Sequence, residues 1–378
     1  MDIECVESIQ RFAALREQWA VLAAVAVRSS IFTSWDWQFH WWKCYGGNQP
    51  LRILVAWTDG RMVGVAPLYV QVHSIAGALK TRLLRPVGTG GDTAPDDLDP
   101  LLHPEFAPTA AKRLSDFALD AARDWDVLMM SDLAGDSEFG EALAGAARAR
   151  HMVVTESDSA TIQCVALPER WESFLETLSA KRRSAMRYAR KRFESLEGAR
   201  FFVWSDQQTL DKAIDALIDM HHKRWEGRSG SHSFSSDSYV SFHRELMHKC
   251  LTAGVLRLYC LQVNDHLIAM YYCYRFRRGI YHFQSGFDPA FAAYSPGSVL
   301  LGYVLEDAIR EGNTVFDMLR GDYPHKTKWG TESRRTHCVL TYRRSIAALA
   351  YRVRRERLPR LRRLLNRSLH EPSSFEKN

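Results

Sequence analysis

The sequence lacks the features that would place it in several large classes at once. No Cys-x-x-Cys occurs, and the seven cysteines are dispersed and odd in number, which argues against a disulfide framework and against a zinc site. No run of about 18 residues is apolar without charges, so no membrane-spanning helix is expected. The start, MDIECVESIQRF, is acidic and mixed rather than basic then apolar, unlike a secretory leader. Neither a Walker A loop nor a G-x-G-x-x-G is present. These absences point to a reducing compartment, with the cytoplasm as the default location and no metal in the chemistry.

What is present is an ordinary globular composition, 46% hydrophobic and 25% charged over 378 residues, enough for two domains with sizeable cores. The net charge of +6 is unevenly placed. Arg343 to Arg367 holds ten arginines and one acid, Glu356, and Lys181 to Arg192 holds seven Lys/Arg and no acid. Two basic stretches on an otherwise acidic chain call for an anionic neighbour. The tail alternates Arg with Leu and has the pattern of a membrane-surface helix, interrupted by Pro359; a disordered basic tail has the same composition.

Hydrophobic periodicity gives an α/β chain in two similar halves. A strand over Ile3 to Val6, a helix over Arg11 to Val27 and an aromatic helix through Tyr45 precede a hairpin, Leu51 to Thr58 and Met62 to Val72, about Asp59-Gly60. A strand from Leu83, a loop over Gly88 to Pro100, a helix over Phe106 to Arg123, a strand at Asp126, a helix over Glu138 to Arg150 and two short strands, Met152 to Thr155 and Thr161 to Ala166, follow. The second half repeats this plan, with helices over Leu210 to Trp225 and Tyr239 to Leu251 and a final strand over Cys338 to Tyr342. LRLYCLQVNDHLIAMYYCYRF at Leu256 parallels LRILVAWTDGRMVGVAPLYVQV at Leu51, each after two helices and before a helix–strand pair. The expected fold is a tandem of mixed, mostly antiparallel sheets flanked by helices, with units at 1–160 and 161–345 and a basic tail over 346–378.

The chemistry concentrates between Gln284 and Trp329. An aromatic strand, Tyr281-His282-Phe283, runs into a loop closing on Ser295-Pro296-Gly297-Ser298, then an amphipathic helix, then a short strand ending in Arg320-Gly321-Asp322 with His325, Lys326, Lys328 and Trp329 beyond it. A helix entered from a strand leaves its first N–H groups unpaired. Ser295 or Ser298 can cap it, Pro296 suits the first turn and Gly297 admits a ligand to the backbone. Such a helix start suits a phosphate or pyrophosphate, and it equally suits a capped structural helix.

The string Gly286-Phe287-Asp288, Tyr294-Ser295-Pro296-Gly297 and Phe316-Asp317-Met318-Leu319-Arg320-Gly321-Asp322, with Lys326 and Trp329-Gly330, resembles the CelD/BcsL group of GNAT acetyltransferases, which is related to the FemABX peptidyltransferases. SAKRRSAMRYARKRFESLEG resembles that group's Arg-rich helix, and Trp35-Asp36-Trp37 its N-terminal signature. The resemblance implies an acyl-CoA-dependent N-acyltransferase, acetyl-CoA being the simplest donor, acting on an amino sugar or lipid-linked saccharide in envelope or exopolysaccharide synthesis. It places the donor along His282, Phe283 and Gln284 and on Ser295, Pro296, Gly297 and Ser298. The usual Q/R-x-x-G-x-G/A loop is replaced here by Ala293 to Ser298. FemABX relatives use aminoacyl-tRNA, which the basic helix suits, and a non-catalytic pair scaffolding a synthesis complex at the inner membrane is the third reading. Asp322 is the candidate base, His325 a second acid–base group and Lys326 a stabiliser of negative charge; each has a plain alternative in ion pairing or solvation. Arg224, Trp225, Arg320 and Trp329 are candidate acceptor contacts, the tryptophans equally suited to core.

Overall fold

The computed structural model describes residues 1–76, 79–120, 124–225, 233–321, 326–329 and 331–357. Strand β1 (Asp2–Val6) leads into helices α1 (Ile9–Ala14), α2 (Arg16–Val25) and α3 (Trp35–Tyr45). The single helix expected over Arg11 to Val27 is broken at Leu15, which closes α1 and opens α2. The tight turn there lets Phe12, Leu15 and Trp19 all reach the core. The hairpin β2 (Leu51–Thr58) and β3 (Arg61–Ala76) turns on Asp59 and Gly60, both at positive φ, the handedness that suits two twisted strands. There follow β4 (Leu79–Pro86), the two-residue β5 (Leu101–Leu102), α4 (Ala107–Asp120), β6 (Val127–Ala134), α5 (Glu138–Ala149) and β7 (Val153–Ala166). The two short strands expected at Met152 and Thr161 are the ends of this one strand. Its polar middle, Glu156 to Ser159, stays extended because the chain's last strand pairs along it.

The second half runs α6 (Trp171–Thr177), α7 (Ala180–Glu194), β8 (Arg200–Val203), α8 (Leu210–Trp225), α9 (Asp237–Thr252), β9 (Leu256–Val263), β10 (His266–Phe276), β11 (Gly279–Phe287), α10 (Pro296–Arg310), β12 (Val315–Arg320), β13 (Thr331–Tyr342) and α11 (Ile346–Arg352). Strand β13 begins seven residues before the expected Cys338, again because β7 pairs it from Thr331 onward. The basic tail expected from residue 346 begins as the helix α11; most of it, 358–378, lies outside the described residues.

Among the described residues the strands form one sheet in the order β1-β2-β3-β4-β6-β13-β7-β12-β11-β10-β9-β8, with β5 beside β3. The two halves mirror each other across its centre. Each is antiparallel except for one parallel pair, β4 with β6 and β11 with β12. At the centre the last strands cross over: β13 pairs with β6 of the first half, and β7 pairs with β12 of the second.

Both faces of the sheet are covered. Helices α1 to α3, α8 and α9 share one apolar core that joins the halves, and α4 with α5 and α6 with α7 and α10 fill two others. Trp37 of α3 is the joint of the first: its ring meets Phe242 of α9 at 5.0 Å and Phe283 of β11 at 5.5 Å, both edge to face, a favoured aromatic geometry.

The parallel pairs are short, and where they end the strands part. In the first half only Leu83↔Val127 and Leu84↔Leu128 pair. The chain itself closes the gap beyond them, with Leu98 donating its N–H to the Asp132 carbonyl (2.9 Å) and Ala134 donating to Asp99 (2.7 Å). In the second half β11 and β12 pair through Tyr281↔Asp317 and then diverge.

Candidate functional site

Farther along β11, past the point where it leaves β12, lies a cavity of about 380 Å³. Its floor is the end of β11, Ser285 to Phe287, and its far wall is the start of α10. Gly286 is required by packing: a Cβ there would lie 2.8 Å from Met220 Cβ and from the His221 nitrogen of α8. Strand β11 also bulges. Tyr272 of β10 opposes Gln284 and Cys273 opposes His282, so Phe283 is the extra residue, the kind of irregularity that re-aims a strand beside a site.

The turn into α10 is sharper than a simple serine cap. Ser295 stands in the left-handed region (φ 53°) and its hydroxyl makes no cap bond. Its carbonyl instead accepts from Ser298 (2.9 Å) and Val299 (3.1 Å). Pro296 occupies the first helical position and Tyr271 donates its hydroxyl to the Gly297 carbonyl at 3.0 Å. The Cβ position of Gly297 is open, with Tyr271 Oη at 4.0 Å as its nearest neighbour. A helix start thus presented carries partial positive charge into the cavity.

Three cations line the same space: Arg182 of α7, Arg224 of α8 and Lys328. Arg224 donates to Ser285 Oγ (3.1 Å) and lies 5.4 Å over the Phe287 ring. Arg182 lies 5.6 Å over Trp329, an arrangement worth about 0.5–1 kcal/mol where water still reaches it. Helix α7 is fastened there by other members of the basic block. Arg190 pairs with Glu306 of α10 (2.5 Å) and covers Tyr303, while Arg192 donates to the Ala293 carbonyl and covers Tyr294. Lys181, Arg187 and Lys191 stay exposed.

Ser295, Pro296, Gly297, Ser298, Arg224 and Trp329, all expected from the sequence, therefore meet in one cavity. The rest are placed differently. His282 lies one layer away, its ring stacked on Tyr271 (4.4 Å) and near Phe316. Phe283 points to the opposite face, into the Trp37 core. Gln284 donates to Ser233 Oγ at 2.7 Å. Arg320 pairs with Asp96 (2.7 Å) and Asp132 (2.9 Å), across the junction of the halves rather than in the cavity. Burial pushes the Asp96 carboxyl up to about 7, although Arg320 draws it down.

Lys326 is buried, and its ammonium donates to the carbonyls of Met318 (2.7 Å), Leu319 (2.9 Å) and Arg320 (2.7 Å). It ties the chain back onto the end of β12; burial lowers its pKa to about 8. Asp322 and His325 lie outside the described residues, as does the side chain of Trp225. His221, on α8 beside Gly286, is driven down to about 4 by burial and by neighbouring His222 and Arg224, and is neutral at pH 7. Arg182 and Tyr271 were not singled out from the sequence, and Lys328 was read only as one of the polar cluster after the strand. Nothing in the spacing of seven basic residues distinguishes Arg182; the approach of α7 to Trp329 selects it.

Residues 180–327 match the family described as Acetyltransferase (GNAT) domain. No curated protein matches the chain. Among solved structures, FemX is similar over 90% of this chain and 97% of its own, at 12% identity and a TM-score of 0.60. A conserved protein of unknown function from Bacteroides thetaiotaomicron covers 90% and 100% at 14% identity and 0.55. L-PGS from Bacillus licheniformis covers 93% and 96% at 14% identity and 0.53. At these identities the structural likeness establishes the fold. With the family match spanning β11, α10 and β12, the chain carries a GNAT-type N-acyltransferase domain.

Proposed function

We propose that the cleft between the end of β11 and the start of α10 binds an acyl-CoA and that the protein transfers the acyl group to an amine. The observation that carries this is the meeting of an open, left-handed Ser-Pro-Gly helix start with Arg182, Arg224 and Lys328 in one cavity where the strands part. Phosphates suit that wall: one N–H-lined helix end and three cations. The thioester arm then extends along β11 toward Tyr281 and Asp317. In the transfer, the acceptor nitrogen attacks the acyl carbonyl, the new C–N bond forms, the C–S bond breaks, and the ammonium proton passes to a base while the thiolate takes one up. Asp322 is the proposed base, with His325 three residues further on. The finer resemblance to the CelD/BcsL group supports an amino sugar or lipid-linked saccharide as acceptor. The arginine-rich tail supports contact with an anionic membrane surface. The first half, whose own gap is closed by chain, serves as a wall for the acceptor.

Calorimetric titration with acetyl-CoA, a longer acyl-CoA and free coenzyme A tests the donor. Binding in the micromolar range, abolished by Gly297→Trp, is expected, since the indole fills the cavity from a position with open space. Absence of binding by all three refutes it. One observation favours a second donor, an aminoacyl-tRNA: Lys181, Arg187 and Lys191 lie exposed on the helix that carries Arg182 to the cleft. That reading requires tRNA binding that weakens steeply with salt and with neutralisation of those three residues.

A further inference from the structure

A second cavity, about 530 Å³, lies at the junction of the halves. Its walls come from the chain just after α2 (Arg28, Ser29), the loop that closes the first-half gap (Asp97, Asp99), the end of β6, the turn before β11 (Arg277) and β13 (Arg334, Arg335). The charges in it are unequally occupied. Arg334 and Asp97 form a two-pronged pair at 2.5 and 2.6 Å, and Arg334 also reaches Asp317 at 2.9 Å. Asp99 is buried and accepts the Ala134 N–H. The acids inside the cavity are thus satisfied.

The other arginines are not saturated. Arg28 uses Nη2 on Asp136, whose side chain is 82% exposed. Arg277 uses Nη2 on the carbonyls ending α2, at Ala23, Ala24 and Ala26. Arg335 uses Nη1 on Asp158. Their remaining guanidinium nitrogens make no hydrogen bond among the described residues. One further group is orphaned: the Ser29 hydroxyl is buried and has no partner among them, which is destabilising unless something fills the space.

We propose that this junction cavity binds an oxyanion, a phosphate or a carboxylate, carried by the amine acceptor. Surplus N–H donors with an unpartnered hydroxyl suit such a group, because guanidinium forks match its paired oxygens. The position fits an acceptor. Asp317, which Arg334 touches, is paired with Tyr281, the last register before β11 and β12 part. The ion pair at the wall of the junction cavity thus sits where β11 and β12 part, four residues along β11 from Ser285, the first residue of that strand to line the donor cavity. An amine tethered to an anion in this cavity is delivered to the end of the cleft where the acyl group arrives. The assignment as acceptor site rests on the donor reading above; the oxyanion site itself does not.

The test is calorimetry on the full chain with glucosamine 6-phosphate and with muramic acid, amino sugars bearing a phosphate and a carboxylate. One of them is expected to bind, and competition by inorganic phosphate identifies the phosphate. Arg28→Gln and Arg335→Gln, both at partly exposed ion pairs, are each expected to weaken that binding about tenfold and leave coenzyme A binding unchanged. Ser29→Ala is expected to weaken binding and to raise the melting temperature, since it removes an unpaired buried hydroxyl from the unliganded fold. If neither amino sugar binds, or if binding is the same in all three variants, the proposal is overturned. If coenzyme A fails to bind while the amino sugar keeps its arginine dependence, the donor reading falls and the oxyanion site stands.

Discussion

Replacing Lys326 by Met separates two roles for this side chain. The ammonium holds three successive carbonyls, those of Met318, Leu319 and Arg320, within 2.9 Å. Hydrogen bonds to a charged group are worth about 1.5–3 kcal/mol each in isolation and add incompletely. Methionine fills the same volume and offers no donor, so the end of β12 is left with unpaired buried acceptors. A loss of about 3–5 kcal/mol is expected, or roughly 6–10 °C at about 2 °C per kcal/mol for a large unit. Turnover should fall as well, because the chain that Lys326 ties down runs on to Lys328 and Trp329, which line the cleft. The pH dependence adds a second check. The folded-state pKa of about 8 lies below the unfolded value, near 10.4. The unfolded chain therefore binds the extra proton in that window, and the burden of the buried charge is relieved as pH rises from 8 to above 10. The stability gap between wild type and Lys326→Met should widen over that range in chemical denaturation. If Lys326→Met melts like wild type at pH 7 yet is inactive, the lysine acts on substrate and the clamp reasoning is wrong.

Gly286→Ala should cost about 1–3 kcal/mol and raise the donor KM, because its Cβ would displace α8, which carries Arg224; unchanged melting and KM would show that α8 yields freely. Arg224→Gln should weaken coenzyme A binding about tenfold with little change in melting, read by calorimetry. Asp96, held up at about 7 by burial, binds its proton more tightly folded than unfolded. Stability should thus fall as pH rises from about 4 to 7, and Asp96→Asn should flatten that slope in pH-dependent denaturation curves.

The sequence carried the fold well where local chemistry decides it. The hairpin at Asp59-Gly60, the helix α8 from Leu210 to Trp225 and the duplicated order of elements all follow from turn residues and periodicity. It failed where a distant partner decides: Glu156 to Ser159 read as a break, and Thr331 to Cys338 as loop, because each is polar and is held extended only by the other. The helix start at Ser295 was legible from Ser-Pro-Gly, though not its left-handed turn. Lys326 and Arg320 illustrate the limit for sites. Their charge and position beside Gly321 suggested substrate contact, but burial among carbonyls and beside Asp96 and Asp132 is a property of the folded neighbourhood. The basic block gave the helix and its charge; which arginines serve as fasteners and which face the cleft depended on where Glu306 and Trp329 stand.

The crossing of β7 and β13 sets the order in which the protein can be made. Strand β6 finds its central neighbour only in β13, from Val127 against Tyr342 to Ala134 against Thr336, a loop of roughly two hundred residues to close. During synthesis the first half emerges with one edge of β6 unpaired and stays so until almost the whole chain has left the ribosome. Unpaired edges of that kind recruit wrong partners, so a nascent chain of this design depends on a protected interval. Two fragments cut between β7 and α6 should each be aggregation-prone alone and should reconstitute one another when co-expressed, each supplying the strand the other lacks.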